Sequence, residues 1–420
     1  MVMGEASAAF LMLSFPLISF KAAEAKWLNR SEELGIEEPG FHGAAGMNGK
    51  ERLLKAMEDG LSKDFPVVIP YLEIFLRDHW EEVTDKPWWV MASWEIPTIG
   101  EVQASLMEKL GIDWVECRLC PSRRWRASHT IEFEGDQVFL KDSTTGFKEA
   151  IKRPRIGGEK ATWVDKVLVK SKEDVDNSIQ IRGHEELIEE GSLDYAMSLI
   201  EKFGSEKFLI APISAPLWAA YHYMGIKGTL LNLLKNPSLV EYLVERLTLN
   251  AIEILRAYAQ VGIEGVWIED CLCSADEISL SHFERFALPY VKRLISEIRH
   301  LGMKSIYYFC GDVKDRLERI VEAAPDAISL EESKKGFQID ILWVDRIVKG
   351  RACIFGNLDA INLLPRASKD ELETELRRQI EVGRRSGRFV VSLGSPVTPE
   401  TSLSRVREYV EIARWLTRSL

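Results

Sequence analysis

Eight short apolar runs, each followed by an amphipathic helical stretch, constrain this chain more than any other feature. From Met47 onward they are Pro66–Pro70, Trp114–Arg118, Phe208–Ala211, Gly265–Glu269, Ser305–Phe309, Ala327–Leu330, Ala352–Phe355 and Phe389–Ser392. Each is rich in Val, Ile or aromatic residues and bounded by turn formers, which is how a strand reads in sequence. Strands alternating with helices make βα units, and eight of them fit an α/β fold of the (β/α)8 TIM-barrel type better than an open sheet. Among the helices, Leu239–Ala259, Lys369–Arg385 and Ser281–Ile298 carry apolar residues at helical spacing, with Pro289 expected to kink the last.

One stretch breaks the rhythm. Between about Ile131 and Val169, Gly135-Asp136 and Thr145-Gly146 read as turns, and Gln137–Lys141 alternates. We expect a β-hairpin insertion after the second strand, either walling one side of the active-site mouth or lying on the surface without function. The division expected is an N-terminal extension, 1–46, and a barrel, 47–420.

Composition narrows the function. A formal charge of −11 argues against nucleic acid, whose binding needs a basic surface to displace counterions. Six cysteines in 420 residues make no disulfide scaffold and suggest free thiols or metal ligands. The apolar run Ala8–Phe20 lacks a basic segment before it and is too short to span a bilayer, so a cytoplasmic protein with no membrane contact is expected. No GxGxxG follows a strand, no GxxxxGK[ST] occurs, and no histidine pairs with Ser or Cys in a nucleophile motif.

In a barrel, chemistry sits just past each strand. That rule selects Tyr71 and Glu73, Cys117–Cys120, Glu269–Cys273, Cys310–Asp312, Glu331-Glu332, Asn357 and Asp359, and Gly394–Pro396. Cys271, Cys273 and Glu269 would share one face of an extended segment, with Asp270 opposite. Cys310 would end the neighbouring strand about 4.8 Å away. Three thiols and a carboxylate could then meet at a tetrahedral zinc, although no histidine lies at ligand spacing and packed thiols remain the alternative. Cys117-x-x-Cys120 lacks a second pair and reads as structural. The tryptophans gathered after the first strand, Trp94 among them, suit either an apolar ligand or a core.

These residues fall into an order that resembles the uroporphyrinogen decarboxylase superfamily, which includes cobamide-dependent methyltransferases. The resemblance rests on Met47–Leu53, Ile278-Ser279 with Phe283–Tyr290, Phe309–Asp312, Phe355–Asp359 and Gly394–Thr401. It implies the (β/α)8 barrel. The arginine pair that decarboxylases carry in the N-terminal motif is missing from Phe65–Pro70. Where methyltransferases carry His-x-Cys-Gly and a later Cys as zinc ligands, this chain has Tyr308, Cys310, Gly311 and Ser395. The resemblance therefore implies a corrinoid-dependent methyltransferase or demethylase component acting on a small methylated substrate. Zinc would sit among Cys310, Cys271, Cys273, Glu269 and Asp270. Tyr308, Asp312 and Glu331 would serve catalysis, and Glu73, Trp94, Asn357 and Ser395 would contact substrate. With no DxHxxG stretch in the chain, the cobamide would come on a partner corrinoid protein, and a homodimer is allowed. Two alternatives stay open: a metal-free decarboxylase or lyase, with Asp312 or Tyr308 as proton donor, and a non-catalytic barrel binding a corrinoid or tetrapyrrole.

Overall fold

The structure, a computed structural model, describes residues 46–419 except 59, 61–63, 159–166 and 335. All but the last residue of the expected N-terminal extension, its apolar run included, lies outside the described residues. Among the described residues, ten strands form two sheets. They are β1 Trp114–Glu116, β2 His129–Glu134, β3 Gln137–Asp142, β4 Lys148–Ile151, β5 Phe208–Ser214, β6 Gly265–Asp270, β7 Lys304–Phe309, β8 Ala327–Leu330, β9 Cys353–Phe355 and β10 Phe389–Val390. The large sheet has seven strands in the order β1-β5-β6-β7-β8-β9-β10, every neighbour parallel. Parallel neighbours need crossovers, and helices supply them between β5 and β10.

The first apolar run forms no full strand, yet it reaches both edges of this sheet. Val67 bridges Val391 in parallel, Val68 N donates to Val391 O (2.9 Å), and Asp113 N donates to Val67 O (3.0 Å). Asp113 seals the same place. Its buried carboxylate accepts Val67 N (2.7 Å) and the guanidinium groups of Arg52 (2.6 Å) and Arg414 (2.9 Å), joining the first and last described helices to the seam.

Alternation along the strands decides which side chains meet. On β6 and β7, Trp267 stacks on Tyr308 at 4.9 Å between centroids, and Trp267 meets Trp114 and Phe355 at 5.5 and 6.2 Å. Those residues face one side of the sheet. Tyr307, Phe309 and Asp270 face the other, where Phe309 packs edge-on against Phe283 of the helix Leu280–Phe286.

The helices follow their local chemistry. Ser368 caps Lys369–Ser386 through a reciprocal box with Glu371, and Gly387 ends it at φ +72°. Gly383 in that helix has no room for a side chain, since a Cβ would lie 2.3 Å from Phe389 Cγ. The expected kinked helix around Pro289 is instead two helices, Leu280–Phe286 and Leu288–His300, with Pro289 in the first turn of the second. A residue without an N–H is harmless there, so the break falls before the proline. Strands β2, β3 and β4 form a separate antiparallel sheet between β1 and β5 in the chain, with Gly135 and Gly146 in its turns at φ +59° and +72°. Among the described residues no helix is long and apolar enough to cross a membrane.

Candidate active site

The C-terminal ends of β6 and β7 bring four of the expected residues together. Register pairs Glu269 with Tyr308, so both project from neighbouring strands on the face that carries Trp267. Cys271 and Cys310 continue that face one step past each strand. Cys271 Sγ lies 3.6 Å from Glu269 Oε1, and the two thiols perturb each other's ionisation. Tyr71 completes the group from the opposite edge of the sheet: its hydroxyl donates to Glu269 Oε1 at 2.7 Å and its ring meets Tyr308 edge-on at 5.6 Å. Tyr71 sits at φ +60°, a left-handed conformation that costs a non-glycine residue on the order of 1 kcal/mol.

Burial governs the electrostatics. It pushes the Glu269 carboxyl above its ordinary value, against the hydrogen bonds from Tyr71, Cys271 and Trp218. Glu116, at the end of β1, is pushed up to about 7 by burial, although the Leu72 and Tyr71 amides oppose it. The adjoining Cys310 thiol, then burial, raises Cys271 well above the usual thiol range, and burial raises Cys310. Both are therefore neutral thiols near pH 7 rather than thiolates. Tyr308, also raised by burial, donates its hydroxyl to Gly394 O at 3.0 Å.

The five-residue zinc set does not form. Asp270 and Cys273 lie on the helix-facing side: Asp270 accepts the Tyr307 hydroxyl (2.8 Å) and neighbours the Cys273 thiol, while Arg316 holds the Cys273 carbonyl. The chain leaves extended geometry after Asp270, so the two-residue alternation that would align Cys273 with Cys271 stops there. Among the described residues no group of three or more His, Cys, Asp and Glu side chains is arranged to hold a metal ion. With Tyr308 and Ser395 at two expected ligand positions, the residues present do not fit a zinc site.

The other expected residues divide. Glu331 lies beside Cys310 and Tyr308, but its carboxylate is engaged by Gly311 N (2.8 Å) and Lys334. Asn357 positions this loop, donating to Glu331 O (3.1 Å) and Ile339 O (2.8 Å). Asp312 accepts the Lys314 amide (2.9 Å), a turn contact rather than one with the thiols. Glu73 pairs with Arg118, and Trp94 meets Tyr195 edge-on at 5.8 Å. Ser395 is 2% exposed, and its hydroxyl lies against the Glu332 carboxyl.

Sequence reasoning marked the position of Glu332 past its strand but gave the role to Glu331. Glu332 is 2% exposed, and burial pushes its pKa up to about 7 against Lys334 and the neighbouring Ser395 hydroxyl. Its carboxylate lies against Gly394, where a Cβ would come within 2.5 Å of Oε2. Trp218 and Tyr221, which follow β5, were missed. Their rings stack at 4.2 Å beside Glu269. The available signal was position alone, just past a strand.

The sequence profile described as uroporphyrinogen decarboxylase (URO-D) matches residues 156–416. A methylcobamide:CoM methyltransferase, MtbA, of Methanosarcina mazei is 24% identical over 216 residues, 51% of this chain and 60% of that protein. A uroporphyrinogen decarboxylase of Chlorobaculum parvum is 23% identical over 256 residues, 59% of this chain and 70% of that protein. The chain thus spans about 60% of the length of the first relative. A solved methyltransferase from Methanosarcina mazei superposes with a TM-score of 0.59 at 19% identity, covering 88% of this chain and 98% of that one, which establishes the fold.

Proposed function

The chain belongs to the uroporphyrinogen decarboxylase family, and on that premise we propose that it moves a methyl group between a small substrate and a cobamide carried by a partner protein. One observation carries the reading. Tyr71, Glu269, Cys271, Tyr308 and Cys310 converge at the ends of parallel strands, in a chain similar to proteins named methyltransferases. We take residues 47–420 as one (β/α)8 barrel, with the antiparallel sheet β2-β3-β4 as an excursion from it. The hydrogen bonds of Val67 and Val68 to both sheet edges support closure.

Methyl transfer is a displacement at carbon, so the protein's task is alignment and exclusion of water. The rings of Tyr71, Tyr308, Trp218 and Tyr221 frame the place where the methyl-bearing group would lie. Glu269, fixed by Tyr71, offers a carboxyl to its heteroatom. The partner's cobamide, a substrate here, supplies the cobalt that takes or gives the methyl group. Zinc assistance is not part of the proposal, because its ligand set does not assemble.

A second reading has a specific observation in its favour. Decarboxylation ends with protonation of carbon, and Glu116 and Glu332, pushed up to about 7 and so partly protonated there, could supply that proton. The two readings separate in one assay. Methyl transfer predicts a demethylated product only when reduced cobamide is present. Release of carbon dioxide from a candidate acid without cobamide would replace it with the decarboxylase.

A further inference from the structure

Carboxyl groups in this mouth outnumber the cations available to them. Glu116, Glu269, Glu331 and Glu332 all lie at strand ends around it. Of the basic groups nearby, Lys334 is engaged by Glu331 and Arg118 by Glu73. Among the described residues, the groups bonded to Glu269 are neutral ones, Tyr71, Cys271 and Trp218. Glu332 is buried beside the Ser395 hydroxyl, and the nearby Lys334 is bonded to Glu331 instead. A buried carboxylate without a cation bonded to it is unfavourable, and a cationic ligand that compensates it gains what the free protein lacks.

Aromatic rings gather around Glu269. Tyr71 and Tyr308 meet edge to face at 5.6 Å, Trp267 stacks beneath Tyr308, and Trp218 stacks on Tyr221. Ring faces attract cations, and a box of rings with a carboxylate is how methylated cations are recognised. We infer that the small substrate is a methylated onium cation, an ammonium or a sulfonium, held by the Tyr71, Tyr308, Trp218 and Tyr221 rings against Glu269, with the Glu332 carboxyl adding negative potential. This deepens the methyl-transfer reading and rests on it.

The chemistry agrees with the residues. The carbon–nitrogen or carbon–sulfur bond breaks with its electron pair going to the heteroatom. The methyl carbon bonds instead to the cobalt of a Co(I) cobamide, which supplies the new pair. The cation leaves as a neutral amine or thioether. That leaving group requires neither a proton nor a Lewis acid.

Calorimetric titration of the full chain, without cobamide, tests this. The probes are choline, trimethylsulfonium and the uncharged isostere of choline in which a quaternary carbon replaces nitrogen. At least one cation should bind saturably, and about tenfold more tightly than the isostere. The two cations together tell ammonium from sulfonium. Glu269→Gln and Tyr71→Leu should each weaken the bound cation by roughly tenfold, with unchanged far-ultraviolet circular dichroism and little change for the isostere. Glu332→Gln guards against a misfolded Tyr71 variant and should weaken the cation alone. Equal affinity for cation and isostere, or no saturable binding of either cation, overturns the inference. Cation binding without methyl transfer to Co(I) cobalamin would overturn the methyl-transfer reading instead.

Discussion

Replacing Asp113 with alanine should cost this protein about 4 kcal/mol of stability. The carboxylate is fully buried and holds three groups: Arg52 at 2.6 Å, Arg414 at 2.9 Å and the Val67 amide at 2.7 Å. The guanidinium side chains are themselves only 10% and 18% exposed, so removing their common acceptor leaves two largely desolvated cations facing each other. Breaking one buried ion pair costs about 3–5 kcal/mol, and an orphaned buried amide about 1–3 kcal/mol. These terms overlap in one network and do not add in full, and Arg52 retains Asp64 at 3.4 Å. Asp113→Asn keeps an acceptor for the amide and should cost roughly half as much. Equilibrium urea denaturation measures both. The pH dependence follows with its sign. Burial works against ionisation of Asp113, but Arg414 and Arg52 outweigh it and hold the pKa below the usual carboxylate range. The stabilisation is therefore complete above the unfolded value near 4 and is lost as pH falls through the lower folded value. A loss below about 1 kcal/mol for Asp113→Ala would refute the view that this carboxylate seals the seam.

Glu332→Gln should stabilise the free protein by roughly 3 kcal/mol at pH 8, the equivalent of a shift from 4.5 to about 7. The raised acid stabilises below its unfolded pKa and loses that contribution as pH climbs to the folded one, so wild type and variant should converge near pH 4; a destabilised variant at pH 8 contradicts this. Cys271 and Cys310, kept neutral, should alkylate with iodoacetamide at pH 7.5 at least about tenfold more slowly than free cysteine, read by peptide mass spectrometry. Gly394→Ala would put a Cβ 2.4 Å from Glu332 N, a backbone contact that cannot yield cheaply, so substrate binding should fall at least about tenfold while Gly100→Ala, in open space, leaves binding unchanged.

The strands were legible because β-branched and aromatic runs bounded by turn formers have few other uses, and seven of the eight expected runs contain a strand of the large sheet. Period-two alternation then put Glu269 and Cys271 on one face, with Cys310 expected beside them at the end of the next strand. It failed at Cys273 because that rule holds only while the backbone stays extended, and the chain turns after Asp270. Tyr71 was marked by its place past the first run, but its partner was illegible for another reason. It reaches Glu269 across 198 positions in sequence, from a backbone conformation rare for tyrosine, and local pattern carries neither fact. Choosing Glu331 over Glu332 was a choice between adjacent acids, which only the lysine and the glycine amide around Glu331 decide.

The central claim is transfer of a methyl group to a cobamide, and single-turnover spectroscopy with stoichiometric Co(I) cobalamin reaches it most directly. The prediction is conversion to methylcobalamin that requires both the protein and a methylated donor, yields one demethylated product per cobalt, persists in a chelator, and slows at least about tenfold in Glu269→Gln. A cobalamin spectrum unchanged by the protein with every methylated ammonium, sulfonium and ether offered would contradict the account.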